Sequence, residues 1–253
     1  MLIEAKHLKK HYHSGRVKAV EDVSFGLSKG KTLGLLGESG CGKSTLAKLL
    51  LKLVPSNGGE IIFKGDNISH LKEHKLKPFR KKAQMIFQEP LSSLDPRMKV
   101  SQILKEPLII HGEKGKEILN KKVRELLNVV ELSSVFLDRL PHQLSGGECQ
   151  RIAIARAISL EPELIVCDEP VSSLDALVQA QILNLLLKLQ KEKKVAYLFV
   201  SHDLKVVKHM SDEIMVMQNG QIVEHGPAQK ITTSPDHPYT QQILNNSLRY
   251  FSR

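Results

Sequence analysis

Cysteine is scarce in this chain. Cys41, Cys149 and Cys167 are odd in number, widely spaced and form no C-x-x-C pair. That argues against a disulfide framework and fits a reducing compartment. Long apolar runs are missing too. No stretch approaches a bilayer span, and the start, Met1-Leu2-Ile3-Glu4-Ala5-Lys6, has no signal-peptide core. The expectation is a soluble, cytosolic chain, at most peripheral to a membrane. Internal repeats and low-complexity segments are absent. Metal-ligand clusters are lacking as well: among eleven histidines, His70 and His74 have helical i, i+4 spacing, but no acidic or cysteine partner completes a set. Acidic residues are outnumbered, giving a formal charge of +10 and a pI near 9.4. Nucleic acid, an anionic membrane surface and anionic ligands are all compatible partners. The lysine runs are scattered rather than gathered, which favours a solvated surface.

The chain has 253 residues, with 41% hydrophobic and 25% charged, which suits one large globular domain or two small ones. Its centre is Gly37-Glu38-Ser39-Gly40-Cys41-Gly42-Lys43-Ser44, set between the apolar run Leu33-Gly34-Leu35-Leu36 and a breaker-free stretch from Thr45 to Leu51. This is the G-x-x-x-x-G-K-[ST] phosphate loop in its strand, loop, helix context. Glycines let successive N–H groups point at phosphate oxygens, and the helix adds its positive end. Lys43 can reach the β- and γ-phosphates, and the Ser44 hydroxyl can ligate Mg²⁺. The alternative is a glycine-rich turn that happens to precede a helix.

Around the loop, residues 2–5 and 17–25 read as strands separated by His13-Ser14-Gly15. Ser56-Asn57-Gly58-Gly59 breaks the pattern before short strands at 60–63 and 84–88. From Leu91 to about Leu144 helical periodicity takes over, with Ile118, Leu119, Val123, Leu126, Leu127 and Val130 on one apolar face. Strands return at 164–167 and 195–200, the latter a continuous apolar run suited to burial on both faces of a parallel sheet. Helices are expected over 177–190 and 204–209. Gln218-Asn219-Gly220 marks a tight hairpin, and the tail from Ile231 is polar, then weakly helical.

Two later segments carry chemistry. Leu164-Ile165-Val166-Cys167-Asp168-Glu169 is an apolar strand ending in two carboxylates. Asp168 is placed to hold Mg²⁺, and Glu169 to polarise a water attacking the γ-phosphorus. Leu144-Ser145-Gly146-Gly147-Glu148 offers a hydroxyl and free N–H groups at a helix start, a second anion site or simply an N-cap.

With these segments in place the chain resembles the nucleotide-binding subunit of an ATP-binding cassette (ABC) transporter. The resemblance spans essentially residues 1–230. It implies an α/β, RecA-like phosphate-loop core with a mostly parallel sheet, an N-terminal antiparallel β subdomain and an inserted helical subdomain at about 91–150. It also implies ATP and Mg²⁺ as cofactors. Tyr12 matches the aromatic residue that stacks on adenine. Gly37, Glu38, Ser39, Gly40, Cys41, Gly42, Lys43, Ser44 and Thr45 match the phosphate cradle. Gln88, with Ser44 and Asp168, matches the Mg²⁺ set. Glu169, His202 and Gln88 match the catalytic residues. Ser145, Gly146, Gly147 and, in Ser172-Ser173-Leu174-Asp175, Asp175 match groups that act across a dimer. Glu148 departs from the more usual glutamine.

Gln88-Glu89-Pro90-Leu91-Ser92-Ser93-Leu94-Asp95-Pro96-Arg97 and Ser234-Pro235-Asp236-His237-Pro238-Tyr239-Thr240 resemble the oligopeptide, dipeptide and nickel importer group, the second lying in its C-terminal extension (231–253). That implies a second cassette subunit in a heterodimer, two transmembrane permease subunits and an extracytoplasmic binding protein. It places the chain on the cytoplasmic side of the cell membrane. Residues 144–157 and 215–224 lean towards the nickel branch. With no cysteine after Cys167, an iron–sulfur cluster is not expected, nor is nucleic acid. The rivals are a soluble cassette protein acting on DNA or ribosomes, and an exporter subunit.

Overall fold

The computed structural model describes residues 1–13 and 15–249; Ser14, expected in the first turn, lies outside them. Strands β1 (Ile3–Tyr12) and β2 (Val17–Leu27) pair antiparallel. β1 runs well past Ala5, where its apolar alternation is lost. The cause is a bulge: His7 takes a φ of 51° and the register shifts between Ala5 and Leu8, so the polar run to Tyr12 rejoins the ladder. β3 (Thr32–Leu36) leads through the glycine-rich loop into α1 (Lys43–Leu50). β4 (Gly58–Phe63) includes the two glycines that look like a break in the sequence. A Cβ on Gly59, whose φ is 86°, would stand 2.4 Å from the His7 carbonyl oxygen, so the residue facing the bulge must be glycine. The short β5 (Asp66–Asn67) follows. His70 and His74 do not share a helix, because Lys72 between them is extended.

Next come α2 (Lys77–Lys82) and β6 (Ala83–Ile86), then a helical run: α3 (Pro90–Ser93), α4 (Val100–Ile110), α5 (Lys116–Val129) and α6 (Gly146–Ile158). The chain then alternates through β7 (Leu164–Asp168), α7 (Ala176–Lys193), β8 (Ala196–Ser201), α8 (Leu204–Met210), β9 (Glu213–Gln218) and β10 (Gln221–Pro227). It closes with α9 (Ala228–Thr233) and α10 (Pro238–Arg249). The β9–β10 turn has φ of 47° at Asn219 and 82° at Gly220, as a tight Asn-Gly hairpin requires.

Among the described residues the strands form two sheets, ordered β2-β1-β4-β5 and β10-β9-β3-β8-β7-β6. The first is antiparallel. In the second, β9, β3, β8, β7 and β6 run parallel and β10 is an antiparallel edge. The continuous apolar runs are explained by burial on both faces. Leu33, Leu35, Val166, Leu198 and Val200 point into a core shared with α1 and the antiparallel sheet. Ile165, Cys167, Tyr197 and Phe199 point the other way, into a core shared with α4, α5, α6 and α7. Most of the helical insertion's apolar residues therefore share the sheet's core, while Leu108 and Leu119 join Leu160 in a small cluster of their own. On α5 the expected apolar face is narrower than its sequence suggests. Leu119, Val123 and Leu127 are buried, but Ile118 is 51% exposed and lies over Gly115 at the helix start.

Candidate nucleotide site

The loop between β3 and α1 is closely packed at Gly37 and Gly42, while Glu38, Ser39 and Gly40 between them are exposed. A Cβ on Gly37 would stand 2.4 Å from the Met217 carbonyl oxygen. Gly42, with φ 112°, would place one 2.0 Å from that of Ala19. Only glycine meets both demands. The β9–β10 hairpin is tied to the loop and to β2: the Gly220 N–H donates to the Cys41 carbonyl at 2.9 Å, and the Glu21 N–H to the Gly220 carbonyl at 2.8 Å. Lys43 is 4% exposed, and its ammonium donates to the carbonyls of Gly37 and Glu38, each at 2.8 Å. A positive charge is thus held within the curl of the loop, beside the N–H groups that open α1.

Parallel register brings the later motifs to the same end of the sheet, the carboxyl ends of its strands, where open α/β sheets bind ligands. Ser44 donates its hydroxyl to Asp168 Oδ1 at 3.0 Å. Asp168 is buried, and burial pushes its carboxyl upward against the opposing pull of the Ser44 hydrogen bond and the nearby Lys48 and Lys43. Glu169 leaves the strand with φ 46°, a left-handed conformation uncommon for a residue with a Cβ, while its N–H donates to the Val200 carbonyl at 3.0 Å. Strain of this kind gathers at functional positions. Gln88 Nε2 donates to Glu169 Oε2 at 3.3 Å, and His202 Nδ1 lies 3.2 Å from the same oxygen.

Tyr12, Ser39, Gly40, Cys41, Gly42, Lys43, Ser44, Thr45, Gln88 and Glu169 line one cavity of about 680 Å³. A second, of about 620 Å³, shares Ser39, Gln88 and Glu169 and adds Gly37, Glu38 and His202. The Lys10 ammonium sits 4.9 Å over the Tyr12 ring. The Cys41 thiol is pushed up by burial, which favours its neutral form. Arg16, Lys18 and Asn219 also line the first cavity. Sequence reading missed them: Arg16 and Asn219 lie in turns and Lys18 at the start of β2, and no local pattern ties these positions to a loop at 41. The one available signal was basic charge next to Tyr12.

Four expected site residues lie elsewhere. Ser145, Gly146, Gly147 and Asp175 line neither cavity; Asp168 lines neither as well, but it accepts from Ser44, which does. Ser145 caps α6 reciprocally with Glu148: the Glu148 N–H donates to Ser145 Oγ at 3.3 Å, and the Ser145 N–H and hydroxyl donate to Glu148 Oε2 at 2.7 and 2.9 Å. Asp175 caps α7 by accepting from the Val178 N–H at 3.0 Å. Val178 in turn packs so closely on Gly147 that a Cβ there would come within 2.7 Å of it. Arg156 of α6 donates to the carbonyl and hydroxyl oxygens of Ser93, at 2.6 and 3.4 Å, joining that helix to the segment after Gln88.

An enclosed loop of N–H donors with a buried ammonium, beside a hydroxyl and two carboxylates, defines a class: an α/β protein of the phosphate-loop nucleotide-binding kind. A family model described as ABC transporter matches residues 20–172. Oligopeptide transport ATP-binding protein OppF of Bacillus subtilis (strain 168) is 49% identical over 248 residues, covering 96% of this chain and 81% of that protein. Dipeptide transport ATP-binding protein DppF of Escherichia coli (strain K12) is 46% identical over 256 residues, covering 98% and 78%. A solved dimeric structure of the ATP-binding cassette MJ0796, in a post-hydrolysis state with ADP and Pi, superposes with a TM-score of 0.82 at 28% identity, covering 89% of this chain and 98% of that one. The chain belongs to the ABC transporter family.

Proposed function

We propose that this chain is the ATP-hydrolysing subunit of an ABC importer for oligopeptides or dipeptides. The observation that carries the chemistry is convergence: Ser44, Gln88, Asp168, Glu169 and His202, five residues from four separate segments, meet at the end of one phosphate loop. The peptide cargo rests on the OppF and DppF relatives; nickel, shared by the same motifs, is the lesser alternative.

Residues 37–45 cradle the triphosphate, with Lys43 on the β- and γ-phosphates and Tyr12 against the base. Ser44, Asp168 and Gln88 present oxygen donors, two of them already 3.0 Å apart, a set that suits Mg²⁺ better than a softer metal. When bound, Mg²⁺ would neutralise charge on the β- and γ-phosphate oxygens. Glu169 orients and polarises the attacking water, with Gln88 and His202 holding its carboxylate and His202 facing the γ-phosphate. Ser145, Gly146, Gly147 and Asp175 act on the nucleotide of a second cassette subunit. The sandwiching of ATP between the two then supplies the stroke.

Residues 1–230 form the ATPase domain with its helical insertion at about 91–150, and 231–253 the extension; α9 straddles that division. The partners are a second, different cassette subunit, two permease subunits and an extracytoplasmic binding protein. No helix among the described residues is long and apolar enough to cross a membrane; in this reading the chain sits on the cytoplasmic face, held by the permeases. The decisive experiment is Glu169→Gln. Turnover should fall by about a thousandfold while ATP-dependent association of subunits persists; undiminished hydrolysis would overturn the general-base role. Stimulation of the wild-type ATPase by DNA or ribosomes, without co-purifying membrane proteins, would favour a soluble cassette function instead.

A further inference from the structure

We propose that Tyr239 is a positioning residue of the nucleotide site, bracing the phosphate loop from the C-terminal segment; this rests on the reading of residues 37–44 as an ATP cradle. The Tyr239 hydroxyl accepts a hydrogen bond from the Glu38 N–H at 3.2 Å, across two hundred residues of sequence. The carbonyl of that same residue accepts from Lys43 Nζ at 2.8 Å and from the Cys41 N–H at 3.4 Å. Glu38 is therefore held on both sides: inward by the loop's own lysine, outward by a tyrosine that belongs to neither the loop nor the sheet.

Tyr239 is no chance visitor to this position. Its side chain is buried in a cluster with Leu36, Leu204, Val207 and Val216, at the end of the strand that feeds the loop. The turn before it is built to hold its angle. Glu224 of β10 accepts the N–H groups of Asp236 and His237 at 2.7 and 3.2 Å. The Tyr239 N–H donates to His237 Nδ1 at 3.2 Å, and Gln241 Nε2 to the Pro235 carbonyl at 3.0 Å. Burial pushes the Tyr239 phenol upward, so it remains neutral around pH 7. Four and seven residues on, along the same helical face, Ile243 and Asn246 line the second cavity with Glu169 and His202. One face of α10 thus follows the site from the loop to the carboxylate.

A brace of this kind acts on the population of loop conformations that can receive a triphosphate, so its loss weakens apparent affinity by the fraction of competent loop lost. Tyr239→Phe removes one oxygen and keeps the ring. Equilibrium titration of the full chain with ATP should show binding about fivefold weaker, the scale of one hydrogen bond. Val223→Ala, which trims the same apolar cluster from β10, should lower the melting temperature comparably and leave ATP affinity within about twofold. Wild-type affinity in Tyr239→Phe would overturn the brace, and so would equal weakening in both variants. Failure of the wild-type chain itself to bind ATP would overturn the reading of the loop, and the brace with it.

Discussion

The chain carries two glycine-rich segments, each at the start of a helix, and they are built in opposite ways. The loop at 37–44 is enclosed by β2, the β9–β10 hairpin and Tyr239, and its lysine is buried. The segment at 144–148 lies at the surface, its serine and glutamate satisfying each other across the first turn of α6. The first is finished by its own chain. The second caps itself and lines neither cavity, which leaves it free for the role on another subunit's nucleotide proposed above. Enclosure marks the element proposed to bind in cis, and self-capping the element proposed to act in trans.

Substitutions can break this contrast. The largest effect is expected from the glycines. Gly42→Ala forces a side chain into φ 112° and against the Ala19 carbonyl, and should cost on the order of 3 kcal/mol in denaturant unfolding. Gly146→Ala meets only Leu174 Cδ2 at 3.4 Å, and should stay within about 1 kcal/mol of wild type. Equal costs would remove the distinction. Lys43→Ala comes next: ATP affinity of the lone chain should fall about fiftyfold, as the loss of a charged hydrogen-bonding partner predicts. Ser145→Ala should be smallest in the lone chain. It removes a helix cap worth about 1 kcal/mol and leaves ATP affinity unchanged, while turnover in the assembled pair drops sharply. Weakened ATP binding by the isolated Ser145→Ala chain would place that segment in cis and sink the two-subunit reading.

How much of this was legible beforehand follows from range. The strands buried on both faces and the phosphate loop advertise themselves, because their demands are local: a continuous apolar run, or a glycine where a Cβ cannot fit. The reach of β1 to Tyr12 was hidden, since a bulge at His7 resets the alternation that reveals a strand. Ile118 followed the helical period yet faces solvent, because periodicity cannot show where a packed face ends. The meeting of Glu169 with Gln88 and His202 depends on parallel register among β6, β7 and β8, and was reachable only through family resemblance. Tyr239 was visible as part of a motif, but its contact with Glu38 was not. Hydrogen bonds between distant segments leave no local mark.

Arg156 has a mechanical consequence. Its guanidinium grips Ser93, so the helix that starts at Ser145 and the short helix that follows Gln88 are joined like a rod and its bracket. One end of that linkage faces the position proposed for a neighbouring subunit, and the other adjoins the residue that touches Glu169. Under that reading, a shift imposed at either end would be carried to the other through these two hydrogen bonds. In the assembly proposed above, the timing of catalysis and the movement of the subunits would then be two readings of one displacement.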